Sequence, residues 1–394
     1  MNWRSFKDFV GLDTLRSRCS RHSGSFVADR SQGIWRAHDA CIEAMETYPG
    51  RQIVLLGLDA LSFRFLERYY HSEDIDQLYP ATSVIPSTST CCWTSVLTGL
   101  LPFEHGVHGV VFYEAAFAST IHALRPISFD LTHGPQASKG IPSLVDPEKH
   151  IFTTATTRFH RKTFSIGRLA FDTSGPLHIQ ICGSAANFVP DDYELLIQDP
   201  VKLVESNVGA LRHRLAEGFD LGFAYFNFDT FLHEHEYDDC NLVDAVSTLL
   251  GYCRKMARDD GVIFILVSDH GMVKQTPTGD PCPFTNPALR EMSYAFPGGA
   301  GRTLYFYIRP EKVNDAIVEL RCALGNTAIV LPRDSYIREF LRVEPAAVSH
   351  SSRIGDVIAV ATTPSFPSVM TNSLHEHGSG SEEEMFAALG IISE

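Results

Sequence analysis

Asp229 and His233 stand four residues apart in Phe228-Asp229-Thr230-Phe231-Leu232-His233, so one helical turn would bring a carboxylate and an imidazole to the same face. A second pair is adjacent, Asp269-His270, and the Gly271 after it allows a tight turn beside the two side chains. Asp59 ends another apolar run, and Ser373-Leu374-His375-Glu376-His377-Gly378 offers further imidazole in a Gly-rich loop. Mixed oxygen and imidazole donors suit zinc, with ligand distances of about 2.0–2.2 Å. Taken singly, an Asp after a strand is an ordinary helix N-cap and a lone His an ordinary hydrogen-bonded residue. Three acids gathered at one place would leave costly charge there unless a cation balanced it, so the set predicts a metal centre.

The stretch Val84-Ile85-Pro86-Ser87-Thr88-Ser89-Thr90-Cys91-Cys92-Trp93 puts a proline and a cluster of hydroxyls ahead of a helical run that closes at Thr98-Gly99. A hydroxyl at a helix N-terminus meets free backbone N–H groups and the positive end of the helix dipole, which favour an alkoxide or a phosphoryl oxygen. The same cluster, read alone, would also serve as a plain cap.

These residues need a scaffold that delivers them together. Ile53-Val54-Leu55-Leu56-Gly57-Leu58 runs into Asp59, Leu221 to Phe228 runs into Asp229, and Val262 to Ser268 runs into Asp269. Continuous apolar runs of this length read as strands buried on both faces. Leu242, Val246, Leu249, Leu250 and Cys253 mark an amphipathic helix between the last two, which implies parallel pairing. The expected fold is therefore α/β, a mostly parallel central sheet with helices on both faces and its ligands at the edge where the strands end. Residues 51–282 and 366–394 read as this core. Residues 283–365, with Gly298-Gly299-Ala300-Gly301, a strand from Thr303, a helix from about Glu311 to Leu324 and Asp356 to Ala361, read as a small α+β cap insertion. Residues 1–50, with Ile34, Ala37, Cys41, Ala44 and Met45 at helical spacing, read as an N-terminal helical extension.

The chain has 394 residues, 44 % of them apolar, and a formal charge of −14. That is enough to close a large core, and the acidity argues against bulk nucleic acid as a partner while leaving a small phosphorylated ligand open. No apolar run of about eighteen residues occurs and the charged start does not read as a secretory signal, so no membrane partner and a cytoplasmic location are expected. Nine scattered cysteines, with no CxxC pair, read as reduced thiols.

In order and content these motifs resemble the type I phosphodiesterase/nucleotide pyrophosphatase branch of the alkaline phosphatase superfamily. Asp59, the Pro86 to Gly106 stretch, Asp229 with His233, Asp269-His270-Gly271 and His377-Gly378 carry the resemblance over roughly residues 52 to 390. It implies an alkaline phosphatase-like core and two divalent metal ions, zinc by the donor set. Thr98-Gly99-Leu100 matches the family's Thr-Gly-Leu, and counting back from it places the nucleophile at Ser89. One ion would be held by Asp229, His233 and His377, the other by Asp59, Ser89, Asp269 and His270. Hydrolysis of a phosphodiester or pyrophosphate bond would pass through a phosphoserine intermediate on Ser89.

Two features depart from the family pattern or bear on substrate choice. Cys92 stands where relatives commonly place an Asn donor, and a thiol is a weak one. Phe112 and Tyr113 are expected to offer an aromatic face to the organic part of the substrate, and Cys92 is the third substrate-binding candidate. The absence of Arg or Lys between Ser87 and Glu104 favours a diester or pyrophosphate from a small phosphorylated metabolite or nucleotide. The alternatives are a phosphonate hydrolase, a phosphomonoesterase or phosphotransferase on the same fold, and a binder of phosphorylated ligands without turnover.

Overall fold

The computed structural model describes residues 3–71, 73–131, 134–137, 144–168, 175–177, 183–279, 281–370 and 372–394. Four strands matter most for the site: β1 (Ile53–Leu58), β2 (Thr163–Ile166), β3 (Leu221–Phe226) and β4 (Ile263–Ser268). They lie in a seven-stranded sheet in the order Ala186–Phe188, β2, β3, β1, β4, Phe386–Ile392, Gln77–Thr82. The pairs from Ala186–Phe188 through β4 are parallel, and Phe386–Ile392 runs antiparallel to both of its neighbours. The expected mostly parallel α/β sheet is present.

Alternation along β1 explains its unbroken apolar run. Ile53 and Leu55 enter one core cluster with Trp93 and Val96 of the helix Ser89–Thr98, whereas Val54, Leu56 and Leu58 enter another with Leu242, Val246 and Leu249 of the helix Cys240–Asp260. Both sheet faces are thus covered, which is where parallel sheets are stable. Leu58 pairs with Phe226 on one side and Ser268 on the other, so the next residues of all three strands emerge at the same edge.

Two parts of the chain are placed differently from the sequence boundaries. The helix Arg36–Thr47 buries Ala37, Ala40, Cys41, Ala44 and Met45 in the first cluster, beside Ile53 and Leu55. Trp3 and Phe6 join it, so residues 1–50 include part of one helical layer of the core; a face of small side chains lets that helix approach closely. The cap is an eight-stranded antiparallel sheet in the order Ala328–Pro332, Val357–Ala361, Thr303–Phe306, Gly298–Ala300, Val111–Glu114, Ser119–His122, Ile127–Asp130, Gly134–Ala137. Half of its strands come from residues 111–137, which the boundary at 283 had left in the core. The two halves meet where Gly299 pairs with Val111. There Gly299 has φ 119°, and a Cβ on it would sit 2.1 Å from the Thr303 carbonyl oxygen, so only glycine fits.

Among the described residues no helix is long and apolar enough to cross a membrane. The eight described cysteines are unbonded, and Cys182 lies outside the described residues.

Candidate metal centre

The aligned strand ends deliver three carboxylates to one spot. Asp59 follows β1 and Asp269 follows β4; both are buried, with Asp269 Oδ1 accepting from the Ala60 and His270 backbone N–H groups at 3.0 Å each. Asp229 opens the turn Asp229–Leu232 after β3, and His233 follows it. Asp229 Oδ2 lies 3.3 Å from His233 Nε2, and its Oδ1 lies 3.3 Å from His377 Nε2. His270 Nε2 stands 3.3 Å from Asp269 Oδ2 and 3.7 Å from Asp59 Oδ1.

Three histidines are held in one tautomer by backbone. Nδ1 donates to the His375 carbonyl in His233 (2.8 Å), to the Gly271 carbonyl in His270 (3.1 Å) and to the Ser87 carbonyl in His377 (2.9 Å). A ring that donates through Nδ1 presents the Nε2 lone pair on its other side, the arrangement that orients metal-ligating histidines. The rings of His270 and His377 stack with centroids 3.9 Å apart. His375 turns elsewhere, its Nδ1 donating to the Leu232 carbonyl at 3.0 Å.

Ser89 is the first residue of its helix, after Thr88 in extended backbone. Its Oγ lies 3.3 Å from Asp59 Oδ1 and 3.3 Å from His270 Nε2. Asp59, Ser89, Asp229, His233, Asp269, His270 and His377 therefore meet in one cluster. Within it Asp59, Asp269 and His270 form one tight group, Asp229, His270 and His377 a second, and His233, Glu376 and His377 a third.

The electrostatics show what the cluster lacks. Burial pushes the Asp59 carboxyl well above its ordinary range, and the charges of Asp269 and Asp229 push it the same way. Asp269 is pushed up to about 7, first by burial. Burial works upward on Asp229 as well, but the charges of His233 and His377 outweigh it and hold that carboxyl below the usual range. His233 rises to about 10 because Asp229 overcomes the opposite pull of its burial. Burial, then the His377 charge, keep His270 well below the usual imidazole value. Asp229 Oδ1 and Asp269 Oδ2 are buried without a hydrogen bond. Unsatisfied carboxylate oxygens beside oriented imidazole nitrogens fit divalent cations in chemistry and in charge.

A cavity of about 620 Å³ opens over this cluster, with Asp59, Ser89, Asp229, His233 and His377 on its floor. Leu124, Ile127, Phe129, Phe284, Phe296 and Met370 make much of its wall apolar. The three expected substrate contacts are not part of the lining. Cys92 is fully buried with its Sγ 3.3 Å from Ser83 Oγ, because its side chain packs into the core under the helix. Phe112 is fully buried beneath the Arg353 guanidinium. Tyr113 packs edge-on against Tyr294 within the cap. The neighbouring Val110 and Val111 reach the cavity instead. The lining also includes residues to which the sequence assigns no role, among them Tyr225, whose hydroxyl donates to Asp59 Oδ2, His122, Arg125, Arg168, Tyr193 and Glu376. Tyr225 sits inside an apolar strand and carried no separate signal. Glu376 stands next to His377 and was open to notice.

The sheet, the carboxylates and histidines at its edge and the cap define an alkaline phosphatase-like α/β protein. A family model described as type I phosphodiesterase / nucleotide pyrophosphatase matches residues 53–379, and the chain belongs to that family. It is a hydrolase family acting on phosphoric ester and pyrophosphate bonds. No curated protein matches the chain. Among solved structures, murine ectonucleotide pyrophosphatase / phosphodiesterase 5 is similar at 15 % identity and TM-score 0.62, covering 86 % of this chain and 88 % of that one. Phosphonoacetate hydrolase from Sinorhizobium meliloti, in complex with phosphonoformate, gives 14 %, 0.58, 86 % and 89 % in the same terms. The alkaline phosphatase PafA gives 15 %, 0.57, 87 % and 91 %.

Proposed function

We propose that the chain hydrolyses a phosphodiester or pyrophosphate bond in a small phosphorylated metabolite, using Ser89 as nucleophile beside two divalent cations, zinc by preference. The observation that carries this reading is the position of Ser89 Oγ, 3.3 Å from both Asp59 and His270 at the start of a buried helix and on the cavity floor. Asp229, His233 and His377 would hold one ion, and Asp59, Ser89, Asp269 and His270 the other. When bound, such ions lower the pKa of a coordinated hydroxyl and neutralise the phosphoryl oxygens and the departing oxygen.

The rest falls to the chain's own residues. Ser89 Oγ gives up its proton to solvent and attacks phosphorus; the bond from phosphorus to the leaving oxygen breaks as Oγ–P forms, giving a phosphoserine, and the departing oxygen takes a proton back from solvent. The free N–H groups of the helix start face the phosphoryl oxygens and stabilise the added charge. Water then attacks the same phosphorus, Oγ–P breaks, and Ser89 regains a proton. Cys92, packed away from the cavity, takes no part.

Rapid acid quench of the zinc-loaded protein during turnover of bis-p-nitrophenyl phosphate tests the reading. A phosphoryl group on the Ser89 peptide supports it. Steady turnover with no such adduct and undiminished activity in Ser89→Ala would overturn it.

A further inference from the structure

Tyr225 stands at the candidate metal centre without being one of its candidate ligands. It is 2 % exposed, lines the cavity, and its hydroxyl donates to Asp59 Oδ2. A phenylalanine would fill the same space, so what the hydroxyl adds is the bond to that carboxylate. Hydrogen bonds to an ionised carboxylate are roughly twice as strong as neutral ones.

Its placement follows from the sheet. Tyr225 is the last residue but one of β3 and pairs with Gly57 of β1, two positions before Asp59. Alternation along β3 turns the ring into the core cluster that also holds Trp93, on the helix Ser89–Thr98. Trp93 lies one helical turn after Ser89 and meets the Tyr225 ring edge-on, with centroids 5.6 Å apart and planes at 85°. Gly57 leaves the room for this packing, since a Cβ there would sit 2.8 Å from the Phe223 ring and 2.9 Å from the Trp93 indole. From the other side the fully buried Asn207 donates through Nδ2 to the Tyr225 carbonyl at 2.9 Å. The phenol is thus fixed between the helix that carries Ser89 and the carboxylate of Asp59. With Oδ2 taken, Oδ1 is the oxygen left for the site. It lies 3.3 Å from Ser89 Oγ, against 3.5 Å for Oδ2, and 3.7 Å from His270 Nε2.

We infer that Tyr225 is a positioning residue of the reaction: by holding Asp59 Oδ2 it turns Oδ1 toward Ser89 and His270 and fixes how Asp59 meets a cation there. The inference rests on the hydrolase reading above and deepens it. Tyr225 acts through Asp59 and needs no contact with the substrate. Trp93 makes the arrangement specific to this helix, because the residue that braces the phenol and the residue that attacks phosphorus sit on one rigid element. Small errors in such a relation are costly to a reaction that depends on the placement of its attacking atom.

The test uses the zinc-loaded full chain as wild type and as Tyr225→Phe, which removes one oxygen and keeps the ring on Trp93. Chelator competition reads the metal without turnover. One of the two zinc ions should bind about tenfold to a hundredfold more weakly, the range for a lost outer partner of a ligand, and the other should be unchanged. At saturating zinc, kcat for bis-p-nitrophenyl phosphate should fall about threefold or more while KM stays within about twofold, since the substrate is still bound but Ser89 and Asp59 have lost their fixed relation. Zinc affinity equal to wild type, or an unchanged kcat at saturating zinc, would overturn the inference. A raised KM with zinc affinity intact would make Tyr225 a substrate contact instead, and equal weakening of both ions would mark a general disturbance; either overturns it too. If wild type turned over no diester or pyrophosphate while Tyr225→Phe still weakened one ion, the hydrolase reading would fail and the hold on Asp59 would stand.

Discussion

His377 and Ser87 are bonded across 290 positions of sequence, the imidazole Nδ1 donating to the Ser87 carbonyl at 2.9 Å. The contact ties a residue of the candidate metal centre to the loop that leads into the helix of Ser89. The Ser87 hydroxyl reinforces it, donating to the Ser379 carbonyl at 2.6 Å and accepting from the Gly378 N–H at 3.3 Å.

Ser87→Ala should therefore loosen His377 without touching a ligand. Outer partners of metal-bound histidines are worth roughly ten- to a hundredfold in metal affinity. Chelator competition against zinc reads this directly. An affinity equal to wild type would mean the backbone contact alone fixes the imidazole.

Ser89→Ala should cost on the order of a thousandfold or more in turnover, while elemental analysis still finds both metals. Thr88→Ala should be mild, because the Thr88 side chain makes no capping bond. Should Ser89→Ala keep diesterase activity while Thr88→Ala or Thr90→Ala lost it, the nucleophile is misassigned.

Protein purified without chelator should carry about two metals per chain, zinc foremost, and stripping them should lower the melting temperature because the buried carboxylates then repel one another. One metal in fully active protein would contradict the two-ion centre.

Glu114 is joined to Arg353 inside the cap at 2.8 Å, and the same guanidinium donates to the Gly106 carbonyl at 2.8 Å. Both side chains are buried. Glu114→Ala leaves an unbalanced buried cation and should cost about 3–5 kcal/mol in chemical denaturation. Glu114→Leu combined with Arg353→Met should recover most of that loss. A single-variant cost below about 1 kcal/mol would show that water reaches the pair.

His108 is fully buried, its Nε2 donating to the Ser349 carbonyl at 3.1 Å. Burial holds its pKa down at about 4, and the nearby Arg353 and His350 charges push the same way. The unfolded imidazole titrates at 6.5, so the unfolded state takes up the proton first and stability falls as pH drops from 6.5 towards 4. The loss should reach at most roughly 3 kcal/mol. Melting curves of wild type and His108→Gln across this window should converge toward acid. Parallel curves would remove His108 as the cause.

The sheet edge was legible because a strand buried on both faces writes an unbroken apolar run, and β1, β3 and β4 each do so before an acid. β2 was not, since Thr163-Phe164-Ser165-Ile166 is short and half polar; missing it hid Arg168, although the residue is plain in the sequence. The strands from Val111 to Ala137 find their partner only at Gly299, far along the chain, so the cap looked like a single insertion. Phe112 and Cys92 were misplaced for one reason: position in sequence beside a site does not say which way a side chain turns, and both turn into the core.

The cap also grips the candidate metal centre. The Arg302 N–H donates to the His377 carbonyl at 3.0 Å, the Thr303 hydroxyl to the Gly378 carbonyl at 2.6 Å, and Arg302 Nε to Glu384 Oε1 at 3.1 Å, which itself accepts from the Ser379 N–H at 2.8 Å. The lid and the reaction centre are therefore not interchangeable modules. A chimaera that grafts the 283–365 segment of a relative onto this core to broaden its substrate range would inherit a foreign mount for His377, and the graft must retain Arg302 and Thr303 or arrive without a working centre.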